Sequence, residues 1–151
     1  MNDIRIRTRE VAELIKNNYA GKTVLVVTHG FSMQGILEEF GKEQMPQKYT
    51  NASYNTTYLG TDGKEINLHR PKIDGIVLPS KKVQNETSVT KVILLRHAQT
   101  NFNIENRCDN SNRTSFTELG EKQIVELQET LSPLEVDKVY CSPMERCLNT
   151  I

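Results

Sequence analysis

Residues 91–103 read KVILLRHAQTNFN, and the first half of that stretch decides the fold. Val92, Ile93, Leu94 and Leu95 form an unbroken apolar run, which reads as a buried strand. Arg96 and His97 follow at once, and the interior of a sheet rejects both residue types, so the strand is expected to end there. In open α/β sheets, ligands bind outside the carboxyl ends of the strands, which puts this Arg-His pair where such proteins do chemistry.

Two further stretches repeat the pattern of a short apolar run followed by a turn and a helix. TVLVVT (Thr23–Thr28) is rich in β-branched residues and reads as a strand covered on both sides. It runs into His29-Gly30, and a helix is expected over about residues 32–40 with Gly41 as its stop. VDKVYC (136–141) reads as a third strand. Ser142-Pro143-Met144-Glu145 behind it has capping-box spacing with proline at the first helical position, and Arg146 follows one turn in.

The remaining segments fill in an α/β pattern. Residues 3–18 place Ile4, Val11, Leu14 and Ile15 on roughly one helical face behind a possible Asp3 cap. Arg5, Arg7 and Arg9 then form the solvated face, with one of them beside an anion pocket as the alternative. Residues 52–59 and 64–68, joined by Thr61-Asp62-Gly63, read as a hairpin at the sheet edge, and His69 follows as a loop histidine. Residues 79–90 (PSKKVQNETSVT) are nearly devoid of apolar side chains and read as a linker. Extended, such a linker reaches about 40 Å, enough to join two points on one domain. Thr117 is a candidate N-cap for a helix with Leu119, Ile124, Leu127 and Leu131 on one side, closed by Pro133. The expected architecture is a three-layer α/β/α domain around a central, mostly parallel sheet.

Composition excludes several function classes. The 151 residues suit one domain, and 19 Lys plus Arg balance 19 Asp plus Glu, so no global field draws the chain to nucleic acid or to an anionic membrane. No apolar run approaches the length of a membrane span, and MNDIRIRTREV lacks the apolar core of a secretory signal, so a cytoplasmic location is expected. Cys108, Cys141 and Cys147 are odd in number and lack metal-type spacing, and they read as reduced thiols.

The pattern R-H-x-x-T-x-x-N at Arg96, His97, Thr100 and Asn103 resembles that of the histidine phosphatase superfamily, which includes phosphoglycerate mutases. T-H-G at Thr28, His29 and Gly30 resembles the family's second-histidine motif, and S-P-x-x-R ending at Arg146 resembles its third. FTELGEKQ resembles the helix start that follows the loop carrying Arg107 and Arg113. The order is rotated relative to the family. Residues 1–78 resemble its C-terminal part and residues 91–151 its N-terminal part, as in a circular permutation within a single domain 1–151. The family's covering lobe, with the glutamate that acts as general acid, has no recognisable match here, and Ala98 stands where glycine is common.

The resemblance implies a phosphatase or phosphotransferase acting on phosphate monoesters or phosphoramidates, with His97 carrying a transient phosphoryl group. Arg96, His29 and Arg146 would complete the catalytic set, and Asn103, Thr100, Gly30 and Arg107 would bind substrate. No metal and no cofactor is expected. The partner would be a small phosphorylated substrate or a phosphoprotein. Three alternatives stay open: mutase-type phosphoryl transfer, a non-catalytic phosphate-binding domain, and a fragment that exchanges elements with another copy as a homo-oligomer or domain-swapped dimer.

Overall fold

The computed structural model describes residues 2–42, 49–66, 88–107 and 115–151. In chain order these form α1 (Asn2–Asn18), β1 (Thr23–Thr28), α2 (Gly30–Glu39), β2 (Tyr54–Leu59), β3 (Thr90–Arg96), α3 (Asn101–Ile104), α4 (Glu118–Leu131), β4 (Lys138–Cys141) and α5 (Glu145–Leu148). The strands make a four-stranded sheet in the order β2-β3-β1-β4. β1 pairs in parallel with both β3 and β4, and β2 closes one edge antiparallel to β3. A strand from before residues 79–90 thus lies between two strands from after them, within one sheet.

Alternation along the two central strands creates two cores. Val24, Val26, Val92 and Leu94 face one way and pack with Ala12 and Ile15 of α1 and with Met33, Ile36 and Leu37 of α2. Leu25, Val27, Ile93 and Leu95 face the other way and meet Leu127 of α4 and Cys147 of α5. Helices therefore cover both faces, as the continuous apolar strands require. Each such side chain, fully buried, contributes roughly 1.5–3 kcal/mol.

The helices depart from the sequence pattern where tertiary contacts decide. The buried stripe of α1 is Thr8, Ala12 and Ile15, whereas Ile4 and Leu14 are 36% and 40% exposed. The cause lies in α2: a Cβ on Gly35 would meet Thr8 Oγ1 at 2.8 Å, so the two helices approach most closely at Thr8, which turns Leu14 outward. Asp3 sits inside the first turn of α1 and pairs with Arg7 at 3.2 Å instead of capping it. α2 starts at Gly30, two residues before the expected point, and ends at Gly41, whose φ of 87° supplies the left-handed stop.

On the other face, Thr117 caps α4 by accepting the Gly120 N–H at 2.9 Å, as its sequence position implies. Leu127 is buried as expected, but Leu119 is 51% exposed. α5 begins at Glu145 with Met144 as N-cap, so Ser142 does not open it. The Ser142 N–H still extends the ladder of β4, donating to Val27 O at 2.9 Å, while its Oγ lies 3.5 Å from Met144 N, ahead of the helix. β4 itself begins at Lys138, two residues later than the apolar run suggests.

Among the described residues the edge hairpin shows one antiparallel bridge, Leu59 to Glu65, across a turn in which Gly63 has φ 70°. Thr90, expected as the end of the linker, is instead the first residue of β3. Most of the linker, together with His69, Cys108 and Arg113, lies outside the described residues.

The contact between α4 and the loop after β3 tolerates no side chain at Gly120. A Cβ there would lie 2.1 Å from Gln99 O, which already accepts the Thr117 N–H at 3.1 Å. Gly120→Ala is expected to cost about 1–3 kcal/mol, read as a lowered urea midpoint. An unchanged midpoint would show that the loop yields freely.

Candidate active site

Parallel pairing sets the site. β1 and β3 run in register from Thr23 opposite Lys91 to Thr28 opposite Arg96, so the next residue on each strand is a histidine at the same level. The His97 N–H donates to Thr28 O at 3.1 Å, one last rung beyond the strands. The His29 and His97 rings then meet edge to face, with centroids 5.2 Å apart and planes at 64°. His29 is also the N-cap of α2, in extended backbone, which turns its ring over the end of the sheet.

The proton positions on His97 follow from its neighbour. Nδ1 lies 2.8 Å from Ala98 O, and a carbonyl oxygen only accepts, so Nδ1 carries the hydrogen. In the neutral ring, Nε2 then holds the lone pair. Burial is the main reason that the ring is neutral, pushing His97 down from 6.5 to about 4. The bond to Ala98 O opposes that shift, and the charges of Arg96 and Arg146 add to it. His29 is likewise held at about 4, first by burial and then by Arg146, His97, Arg96 and Arg7. The arginines therefore oppose protonation of both rings, but desolvation outweighs them. Arg7 is the arginine of α1 whose charge reaches His29.

Two guanidinium groups accompany the neutral rings. Arg96, the last residue of β3, is half-buried, and its Nη1 donates to Tyr49 O. Its Nε is buried without a hydrogen-bond partner among the described residues. Arg146 belongs to α5, which a bridge ties to the His97 loop: Ala98 N–H donates to Thr150 Oγ1 at 3.1 Å, and that hydroxyl donates to Arg146 O at 2.6 Å. Two cations beside uncharged imidazoles make a site suited to an anion with several oxygens.

The expected substrate-binding residues divide into two groups. Asn103 Oδ1 accepts from Thr100 N–H and Thr100 Oγ1, both at 3.0 Å, so Thr100, 2% exposed, serves to orient Asn103. Among the described residues Asn103 Nδ2 meets no acceptor. Gly30 opens α2 beside Arg96, and a Cβ there would sit 3.8 Å from Arg96 Cδ, an ordinary contact. Arg107 is exposed, paired with Glu105 at 2.8 Å and stacked over Phe102 at 5.2 Å.

The structure adds contributors whose part in the site the sequence pattern does not state, among them Ser142, the first residue of the S-P-x-x-R motif. Ser142 Oγ lies 3.0 Å from His29 Nε2, and the hydroxyl can serve there as donor or acceptor. Cys147 Sγ lies 3.7 Å from the same nitrogen, and burial pushes that thiol up to about 12, so it stays protonated. Cys141 and Cys147 are both free. Thr150 and Asn51 carry no motif of their own, and only the folded structure shows what they hold. Among the described residues no three His, Cys, Asp or Glu side chains converge as a metal site, and no helix is long and apolar enough to cross a membrane.

The sequence family described as the histidine phosphatase superfamily (branch 1) matches residues 1–71 and 92–151. A Schizosaccharomyces pombe protein described as a "probable phosphatase" is 41% identical over 61 residues, which are 40% of this chain and 29% of that protein. The match therefore spans under a third of that relative's length. No solved structure matches the chain significantly.

Both histidines bind protons less readily folded than unfolded, since each sits at about 4 against 6.5. The unfolded chain therefore takes up more protons between those values, and stability is lost as pH falls from about 6.5 towards about 4. Replacing both by asparagine should flatten that part of the profile, as followed by urea midpoints across the range. An identical slope in the double variant would mean that the rings titrate normally.

Proposed function

The chain belongs to the histidine phosphatase superfamily, and from that premise we propose that it is a metal-independent phosphatase or phosphotransferase working through a phosphohistidine on His97. The observation that carries this reading is the bond from His97 Nδ1–H to Ala98 O, which leaves Nε2 as a free lone pair in a neutral ring. Arg96 and Arg146, whose charges act on the His97 ring, and His29, whose ring meets it edge to face, would supply donors for the non-bridging oxygens of a phosphoryl group.

The Nε2 lone pair attacks phosphorus, a P–N bond forms, and the P–O or P–N bond to the leaving group breaks with its electron pair on the departing atom. Water then attacks the phosphohistidine, releasing inorganic phosphate and restoring the neutral imidazole; in a transferase a second acceptor takes the place of water. The positive charges stabilise the spread of charge over the phosphoryl oxygens, and fixed ring geometry removes the cost of aligning the nucleophile. Turnover of an aryl phosphate should fall to background in His97→Ala and survive EDTA in the wild type. Phosphate binding without turnover would favour a purely binding role, and loss of turnover with chelator would retire the metal-free scheme.

Proton supply to the leaving group is the weak step. Glu38 and Glu39, the acidic residues nearest His29 in sequence, are engaged with Gln34 at 3.1 Å and Arg9 at 3.4 Å. General-acid help is worth roughly 10²- to 10⁴-fold. Without it, kcat/KM should fall steeply as leaving-group pKa rises, with aryl phosphates and phosphoramidates well ahead of alkyl esters. A flat series would reveal an acid in this chain or a neighbouring one.

A further inference from the structure

Residues 49–53 precede β2 and lie far in sequence from the Arg-His pair, yet among the described residues their bonds to β3 and the loop behind it fall on the site. Tyr49 O accepts from Arg96 Nη1, Ser53 O accepts from Arg96 N–H at 2.9 Å, and Ala52 N–H donates to His97 O at 3.1 Å. Asn51 does the most: its Nδ2 lies 3.3 Å from His97 O, 3.5 Å from Ala98 O and 3.0 Å from Asn103 Oδ1.

The atom identities in this knot are fixed by chemistry. Thr100 N–H can only donate, and it meets the Asn103 side chain at 3.0 Å, so that atom is oxygen. Facing that oxygen and two backbone carbonyls, Asn51 must present its NH₂ group, whose two hydrogens are shared among the three acceptors. One of those carbonyls, Ala98 O, is the same atom that takes the Nδ1–H of His97 at 2.8 Å. Ala52 adds a second sign: its φ is 57°, a left-handed conformation that an alanine rarely adopts, held where its N–H reaches His97 O.

We propose that Asn51 is a positioning residue for the reaction, holding the Ala98 carbonyl in place so that it keeps the proton on His97 Nδ1, and orienting the Asn103 amide towards the substrate. This rests on the reading of His97 as the phosphoryl acceptor. Without Asn51 the Ala98 carbonyl loses its one side-chain donor among the described residues besides His97 itself, and the ring is free to exchange tautomers or turn. Asn51→Asp keeps the shape but faces three oxygens with a carboxylate, which repels them.

The test is nitrogen NMR of the His97 ring in the wild type, Asn51→Ala, Asn51→Asp and Ala52→Gly, with the rate of phosphoryl uptake from an aryl phosphate measured alongside. Both Asn51 variants are expected to shift His97 from one tautomer to a mixture and to slow uptake by about 10- to 100-fold. Ala52→Gly, which relieves the strain and leaves every donor in place, should keep the wild-type tautomer. A wild-type tautomer in the Asn51 variants overturns the inference whatever the activity, and so does a loss of cooperative unfolding in both, which would mark Asn51 as purely structural. If the wild type takes up no phosphoryl group, the proposed function fails, while the tautomer comparison still decides the role of Asn51.

Discussion

The site depends on the parallel register of β1 and β3. Thr28 lies opposite Arg96, so two strands that end at the same height each deliver a histidine, and one further backbone bond from His97 to Thr28 locks that level. A one-residue slip would turn every apolar side chain of the shifted strand to the opposite core and pull the rings apart together. With apolar cores on both faces polarity alone does not set the register; the packing of Val24, Val26, Val92 and Leu94 on one face and of Leu25, Val27, Ile93 and Leu95 on the other holds it, with the rung from His97 to Thr28.

What the fold provides at that level is a low-dielectric place for two imidazoles with cations close by. Burial does more than the arginines to keep both rings neutral. That division suits phosphoryl chemistry: the neutral ring is nucleophilic, while the guanidinium groups stay charged and meet the incoming anion. The Ala98 carbonyl lies 2.8 Å from His97 Nδ1 and 3.5 Å from Asn51 Nδ2, and the Ala98 amide donates to Thr150 Oγ1 at 3.1 Å, contacts that would orient the proposed nucleophile from both sides of one residue.

Much of this was legible in the sequence, because the strands and their ends are written in local chemistry. An apolar run that stops at Arg96-His97 or His29 marks both a buried strand and the place where it leaves the core, and Thr117 and Gly41 mark helix ends by their own backbone preferences. The misreadings fall where a distant contact decides. Leu14 looks like a core residue until Gly35 lets Thr8 approach α2, and Ser142 looks like a helix cap until β1 claims its N–H. Ser142 is visible in the sequence only as the first residue of S-P-x-x-R, and Asn51 and Thr150 carry no motif; the site partners of all three lie 46 or more residues away, so no local pattern names them. Burial of the histidines is likewise a property of the assembled layers.

The central claim is that His97 attacks through Nε2 because Nδ1 is committed to Ala98 O. The most direct test is to trap the protein with an aryl phosphate and establish, by phosphorus and nitrogen NMR, which ring nitrogen carries the phosphoryl group. The account predicts a single adduct on His97 Nε2 that survives alkali and is lost in acid. Phosphorylation at Nδ1, on another residue, or none at all with turnover intact, would contradict it.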